Sequence, residues 1–253
     1  MTNYQIGLLT TFILGIFILI GAGISLVVNK KEQVIDFSMG LAFGVIVTLI
    51  ITDLLPEIFE GLGVKHILIF VIFTLIGFFI LKMLDHLIPN HHEHHNSKKE
   101  NEANLTHIGI MTTLAVILHN IIEGMAVYST ALTDSSLAVS LAIGVGFHNI
   151  PLGMVIASSL YHSSKNYSKT LISILLVSIS TFFGGIIMYS FNFVELNEMV
   201  LGILLSITLG MLVFIVVDEL YPKIKSTKRK DITRTGIVIG IIIVLMSLFV
   251  GNI

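Results

Sequence analysis

The stretch HNIIEGMAVYS, His119 to Ser129, returns as HNIPLGMVIAS, His148 to Ser158, and each copy lies inside a long run of apolar residues. A spanning helix needs about 20 mostly apolar residues at about 1.5 Å each, and both runs are long enough. Working outward from them, the same test gives eight helices in all, near residues 5 to 28, 34 to 56, 64 to 88, 107 to 131, 135 to 160, 169 to 192, 196 to 220 and 233 to 252. The breaks between them are polar: NKKEQ, EIFEGLG, NHHEHHNSKKENEAN, TDSS, YHSSKNYSK, FNFVELNE and YPKIKSTKRKDITRT. Outer-membrane strands would be about ten residues long with alternating polarity, and that pattern is absent. The predicted fold is therefore all-α: one polytopic membrane domain over residues 1 to 253, with a histidine-rich loop at 89 to 106 between helices three and four.

Composition agrees. The chain is 55% hydrophobic and 12% charged, where soluble domains carry about 25% charged residues. Its mean hydropathy is +0.96. There is no cysteine, so a metal would have to be held by nitrogen and oxygen donors. The start, MTNYQIGLL, lacks the basic region and cleavage site of a signal peptide, so the first apolar run reads as a retained helix.

Orientation follows from the basic residues. Lys30, Lys31, Lys98, Lys99, Lys165, Lys169, Lys223, Lys225, Lys228, Arg229, Lys230 and Arg234 all fall in the loops after helices one, three, five and seven. The positive-inside rule makes those loops, including the histidine-rich one, cytoplasmic and both termini extracellular. Tyr4, Tyr161, Tyr189 and Tyr221 lie near helix ends, as an interfacial aromatic belt requires. A bilayer is then the chain's surroundings, and nothing in the sequence implies a nucleic acid or an organic cofactor.

The chemistry sits on helices four and five. His119 and Glu123 are i and i+4, one turn apart with Cβ atoms about 6 Å from each other. A carboxylate at mid-bilayer costs at least about 2.5 kcal/mol on insertion scales, so it needs a cationic partner. No lysine or arginine lies at that depth, and a metal ion fits the role. His148 and Asn149 occupy the matching turn of helix five, where Pro151 leaves the carbonyl of Phe147 without its helical donor. A lone membrane histidine is commonly just an interhelical hydrogen-bond partner. Two histidines with one carboxylate are better explained as a site for a divalent transition metal, and the donor set suits zinc, iron(II), manganese or cadmium better than calcium or magnesium.

A second internal similarity pairs GVIVTLIITDLLPEI, from Gly44, with GMLVFIVVDELYPKI, from Gly210, as transporters built from repeats would show. Asp53 and Asp218 are deep enough to be candidate pathway residues. Glu57 and Glu219, beside the prolines at helix ends, read as solvated interface. His91, His92, His94 and His95 around Glu93 form a tract that would bind transition metals weakly and exchangeably.

With eight spans, outward termini, a histidine-rich loop, HNIIEG on helix four and HNIPLG on helix five, the whole chain resembles the Zrt-, Irt-like (ZIP) metal transporters. GMLVFIVVDELYP on helix seven is similar to the bacterial, GufA-like members. The resemblance implies uptake of a divalent metal into the cytosol by alternating access, with inverted repeats around helices four and five and often a homodimer. Position by position it makes His119, Asn120, Glu123, His148 and Asn149 the metal ligands. Two departures stand out: Leu152 follows Pro151 where many members have glutamate, and Thr181 and Phe182 stand where many have a glutamate-proline pair on helix six. Without those two carboxylates, a single metal per protomer is expected. Two further classes are a transport-degenerate metal sensor or binding protein and an intramembrane zinc hydrolase, the latter needing an open coordination position and a general base.

Overall fold

The computed structural model describes residues 1–28, 31–87, 97–164, 166–193 and 197–251. The histidine tract His91, His92, His94 and His95 lies outside them. Among the described residues, eight helices are long and apolar enough to cross a membrane: α1 (Asn3–Val27), α2 (Glu32–Leu62), α3 (Val64–Leu87), α4 (Ala103–Thr133), α5 (Ser135–Tyr161), α6 (Tyr167–Ser190), α7 (Glu198–Ser226) and α8 (Lys230–Val250). The chain is an all-α, multi-pass membrane protein.

The helices alternate in direction, and polar ties mark the two ends. At one end Asn3 of α1 donates to the carbonyl of Leu132 at the end of α4, and Tyr4 packs edge-on against Tyr189 of α6. At the other, Arg229 in the α7–α8 link pairs with Asp36 at 3.1 Å and with Glu32, both at the start of α2. The hydrogen bonds that Arg229 donates to Glu32 and Asp36 raise its pKa above an already high value, so this link stays charged at any physiological pH. Basic residues cluster at this second end, which we call the lysine-rich face.

Packing is set by glycine. A Cβ on Gly21 of α1 would stand 1.9 Å from the carbonyl oxygen of Ile150 on α5, and one on Gly124 of α4 would stand 1.9 Å from that of Thr181 on α6. The contact is reciprocated: Gly153 of α5 meets Ile18 of α1, and Gly184 of α6 meets Ile121 of α4. Gly40 of α2 lies against Thr233 of α8, Gly77 of α3 against Ile207 of α7, and Gly210 of α7 against Thr74 of α3. Small residues let backbones approach this closely where the lipid supplies no hydrophobic drive for helix association. The contacts tie α1, α4, α5 and α6 into one group, while α2–α8 and α3–α7 form tight pairs, the end of α2 also lying on α7. The two sets meet where α5 runs along α2 and α8 and where α4 meets α7. Large apolar side chains such as Leu68, Leu75, Phe79, Ile172, Phe183, Ile242 and Phe249 face outward, as they would toward lipid.

Two helices outrun their sequence-based ends. α2 and α7 were expected to stop at 56 and 220, beside Pro56 and Pro222, yet they continue to Leu62 and Ser226. The reason is a change of pitch: Ile50–Leu54 and Ile215–Leu220 are π-helical, with the amides of Leu55 and Tyr221 bonding back to the carbonyls of Ile50 and Val216. Each proline then sits in the first turn of a new α-helical segment, where its missing amide is tolerated. Both π turns fall inside the paired segments that begin at Gly44 and Gly210. α2 ends at Gly63, whose φ of 70° suits glycine and whose amide bonds to Phe59. Helix four also begins early: its backbone is helical from Ser97, so the second half of the segment read as a loop extends the helix.

Replacing Gly77 by valine, far from the helix-four motif, should lower the thermal midpoint of the detergent-solubilised protein by several degrees, since overpacking costs roughly 1–3 kcal/mol. Gly23→Ala, with nothing within 4 Å of the added carbon, should leave the midpoint where it is.

Candidate metal centre

Both histidine motifs fall in the middle of their helices, and antiparallel packing of α4 on α5 brings them to one level. Glu123 is the hub. Its Oε1 lies 3.6 Å from Nε2 of His119 and 3.2 Å from Nε2 of His148, and its Oε2 accepts from Nδ2 of Asn149 at 3.3 Å. His119 and His148 are 5% and 3% exposed, and Asn149 is fully buried. The three acid and imidazole donors lie within 4.8 Å of one another. Four ligands held tetrahedrally about 2.1 Å from an ion stand about 3.4 Å apart, close to the 3.2 and 3.6 Å at which Glu123 meets the two imidazoles.

Asn120 is differently placed. Its Nδ2 donates across to the carbonyl of Val177 on α6 at 3.3 Å, which turns this amide toward the α4–α6 seam. Its Oδ1, like Oδ1 of Asn149, Oγ1 of Thr181 and both ring nitrogens of His119, is buried without a hydrogen-bond partner. Leu152 is buried in the hydrophobic core beneath the site, and so adds no donor to it.

Asp53 lies at the approach to this centre. With His148 it lines a cleft of about 100 Å³ between α2, α5 and α8, together with Leu49, Leu141, Gly144 and Ser247. The cleft is on the side opposite the lysine-rich face.

On the lysine-rich side the openings are wider. One cavity of about 490 Å³ is lined by Asp85, Asn104, His107, Asp218, Glu219 and Lys223; a second of about 560 Å³, lined by Glu32, Asp36, Lys228 and Arg229, shares Lys223 and Ser226 with it. Asp218 is exposed here. Its neighbour Glu219 was expected at a solvated interface and is instead buried, with Oε1 3.1 Å from Nε2 of His107, the nitrogen that also lies 2.6 Å from Oδ1 of Asp85. The cause is the π turn, which rotates Glu219 of α7 inward toward α4. Asp85, His107 and Glu219 form a second set of three potential donors. Sequence reading missed it, although aligning Gly44 with Gly210 pairs Glu219 with Asp53.

A family model described as ZIP zinc transporter matches residues 89–248. The chain belongs to the ZIP zinc transporter family. That match takes in both histidine motifs, all of α4 to α7 and most of α8. Among bacterial relatives named zinc transporter ZupT, the chain is 28% identical to that of Chlorobium limicola over 98% of each chain. It is also 28% identical to that of Clostridium perfringens over 98% of this chain and 96% of the other, and 27% identical to that of Enterobacter sp. over 96% of each. Membership of the ZIP family rests on the match over residues 89–248, and the similarity to these relatives extends along nearly the whole chain.

His107→Leu leaves Asp85 and Glu219 facing each other without a cation and should lower thermal stability by about 2–4 kcal/mol. Adding Asp85→Asn should recover part of that loss; a double variant as unstable as the sum of its parts would show that the three groups do not interact.

Proposed function

We propose that the chain carries zinc into the cytosol, with iron(II), manganese and cadmium as further cargoes, by alternating access around His119, Glu123 and His148. The observation that carries this reading is the convergence of two imidazoles and one carboxylate within 4.8 Å of one another inside an apolar bundle, in a chain of the ZIP zinc transporter family. The relatives' name, zinc transporter, supports zinc as the first cargo. Glu123 supplies the charge that offsets desolvation of the dication, and the imidazoles supply the softer donors. Asn149 orients the carboxylate through Oε2 and has its own Oδ1 free to ligate; Asn120 can join only by turning its amide oxygen in from the α6 seam.

The proposed path enters past Asp53, halts at Glu123 and leaves toward the cavity that holds Asp218. The lysine-rich face is read as cytoplasmic and both termini as extracellular, so the wide cavities open inward and the narrow cleft outward. Movement of the α1, α4, α5 and α6 group against the rest would exchange access, because its helices are locked to one another by backbone contacts. With Leu152 in the core and Thr181 offering only a hydroxyl, one ion per protomer is the proposed load. The histidine tract His91, His92, His94 and His95 is assigned to weak capture of the released ion. A homodimer is the proposed assembly.

In liposomes loaded with a metal-sensitive dye, the purified chain should give saturable zinc influx. Glu123→Ala should abolish it at equal protein content, and acidifying the medium should slow it, because a protonated imidazole cannot ligate. Undiminished influx in the variant would overturn the assignment; binding with no flux would favour the metal-sensor reading.

A further inference from the structure

Between the metal centre and the lysine-rich cavity the helices close over an apolar plug that includes Ala115, Leu152 and Val155, all in the main core cluster. Three hydroxyls interrupt it. Thr112 of α4 lies seven residues before His119, and so on the same helical face two turns closer to the lysine-rich end. Ser159 of α5 lies eleven residues after His148, again on the same face. Its Cβ packs 3.1 Å from where a side chain on Gly109 of α4 would begin, so it stands at the α4–α5 seam. Ser38 of α2 sits on the side of its helix away from Gly40, the residue that contacts α8, and so faces the interior. All three are fully buried, and all three hydroxyl oxygens lack a hydrogen-bond partner within the protein.

Helical serines and threonines in a bilayer ordinarily return their hydroxyl to the carbonyl one turn back. This chain does so at Thr48, Thr113, Ser158 and Ser206. Ser25, Thr74 and Thr181 also keep buried hydroxyls without a partner, but Ser38, Thr112 and Ser159 share a position as well as a chemistry: three helices, drawn from both packing groups, with hydroxyls unpaired between the metal centre and the cavity. Ile108, one turn below Thr112 on the same face, lines that cavity.

We infer that Ser38, Thr112 and Ser159 line the inner half of the cargo path, closed in this conformation, and exchange oxygen contacts with a partly hydrated dication as it leaves Glu123 for the lysine-rich face. The inference rests on the transport reading above and extends it to residues outside the histidine motifs. A strong acidic stop there would trap the ion; neutral hydroxyls replace water one contact at a time and let it go.

The chain has no native cysteine, so each introduced one is its only thiol. In proteoliposomes, Ser38→Cys, Thr112→Cys and Ser159→Cys should react with a small charged methanethiosulfonate at least ten-fold faster than Ala157→Cys and Val177→Cys, which are equally buried but face other helices. Zinc should slow the labelling. Thr112→Val should cut zinc influx several-fold at unchanged zinc affinity, and Thr112→Ser should restore it. Labelling no faster than the controls in a chain that transports zinc would overturn the path alone. Rapid labelling in a chain that moves no metal would overturn the transport reading and with it the cargo role of these hydroxyls.

Discussion

A carboxylate held at the centre of an apolar bundle is the constraint around which the rest of this structure is arranged. Glu123 would be costly alone in a bilayer. It is stabilised by three nitrogens, from His119 one turn before it and from His148 and Asn149 on the neighbouring helix. That neighbour must lie close enough for imidazole and carboxylate to meet. The small residues that allow close approach follow the motifs themselves: Gly124 after Glu123 lets α6 in, and Gly153 after Asn149 lets α1 in. The site and its scaffold are therefore written in the same few residues.

The bundle's division follows from those contacts. Backbone against backbone packs α1, α4, α5 and α6 into one group. The opposite set carries different chemistry: π turns ahead of Pro56 and Pro222, and carboxylates at Asp53, Asp218 and Glu219 in or beside them. A π turn adds a residue without breaking the helix and turns the side chains that follow. In α7 it buries Glu219 against His107, and in α2 it sets Asp53 in the cleft beside His148. The two π turns give the paired segments at Gly44 and Gly210 a shared structural feature, beyond their common letters.

Much of this was legible in the sequence. The eight spans, the all-α class and the shared face of His119 and Glu123 follow from apolar run length and from i, i+4 spacing, both local properties of the chain, whereas His148 joins them only through the packing of α5 on α4. What escaped was set by tertiary placement. Proline read as a helix end at 56 and 220 because nothing local announces the π turn that accommodates it. Glu219 read as solvated because its partners, Asp85 and His107, lie on two other helices and share no motif with it. Asn120 was grouped with its neighbours in the motif, yet it sits 100° around the helix from His119, and that angle points it at Val177 of α6. Asp53 was marked for its depth, and it shares a cleft with His148.

In the proposed site one ion sits between two imidazoles and one carboxylate in the middle of α4 and α5. X-ray absorption at the zinc edge tests it directly, on protein whose His91, His92, His94 and His95 have been replaced by alanine and which is loaded to saturation and freed of excess metal. The account predicts one zinc per chain with about two imidazole nitrogens and the remaining ligands oxygen, at distances of about 2.0–2.2 Å. It also predicts loss of the imidazole signal when His119 and His148 are both changed to alanine. An all-oxygen shell, or an imidazole signal that survives that double change, would contradict it.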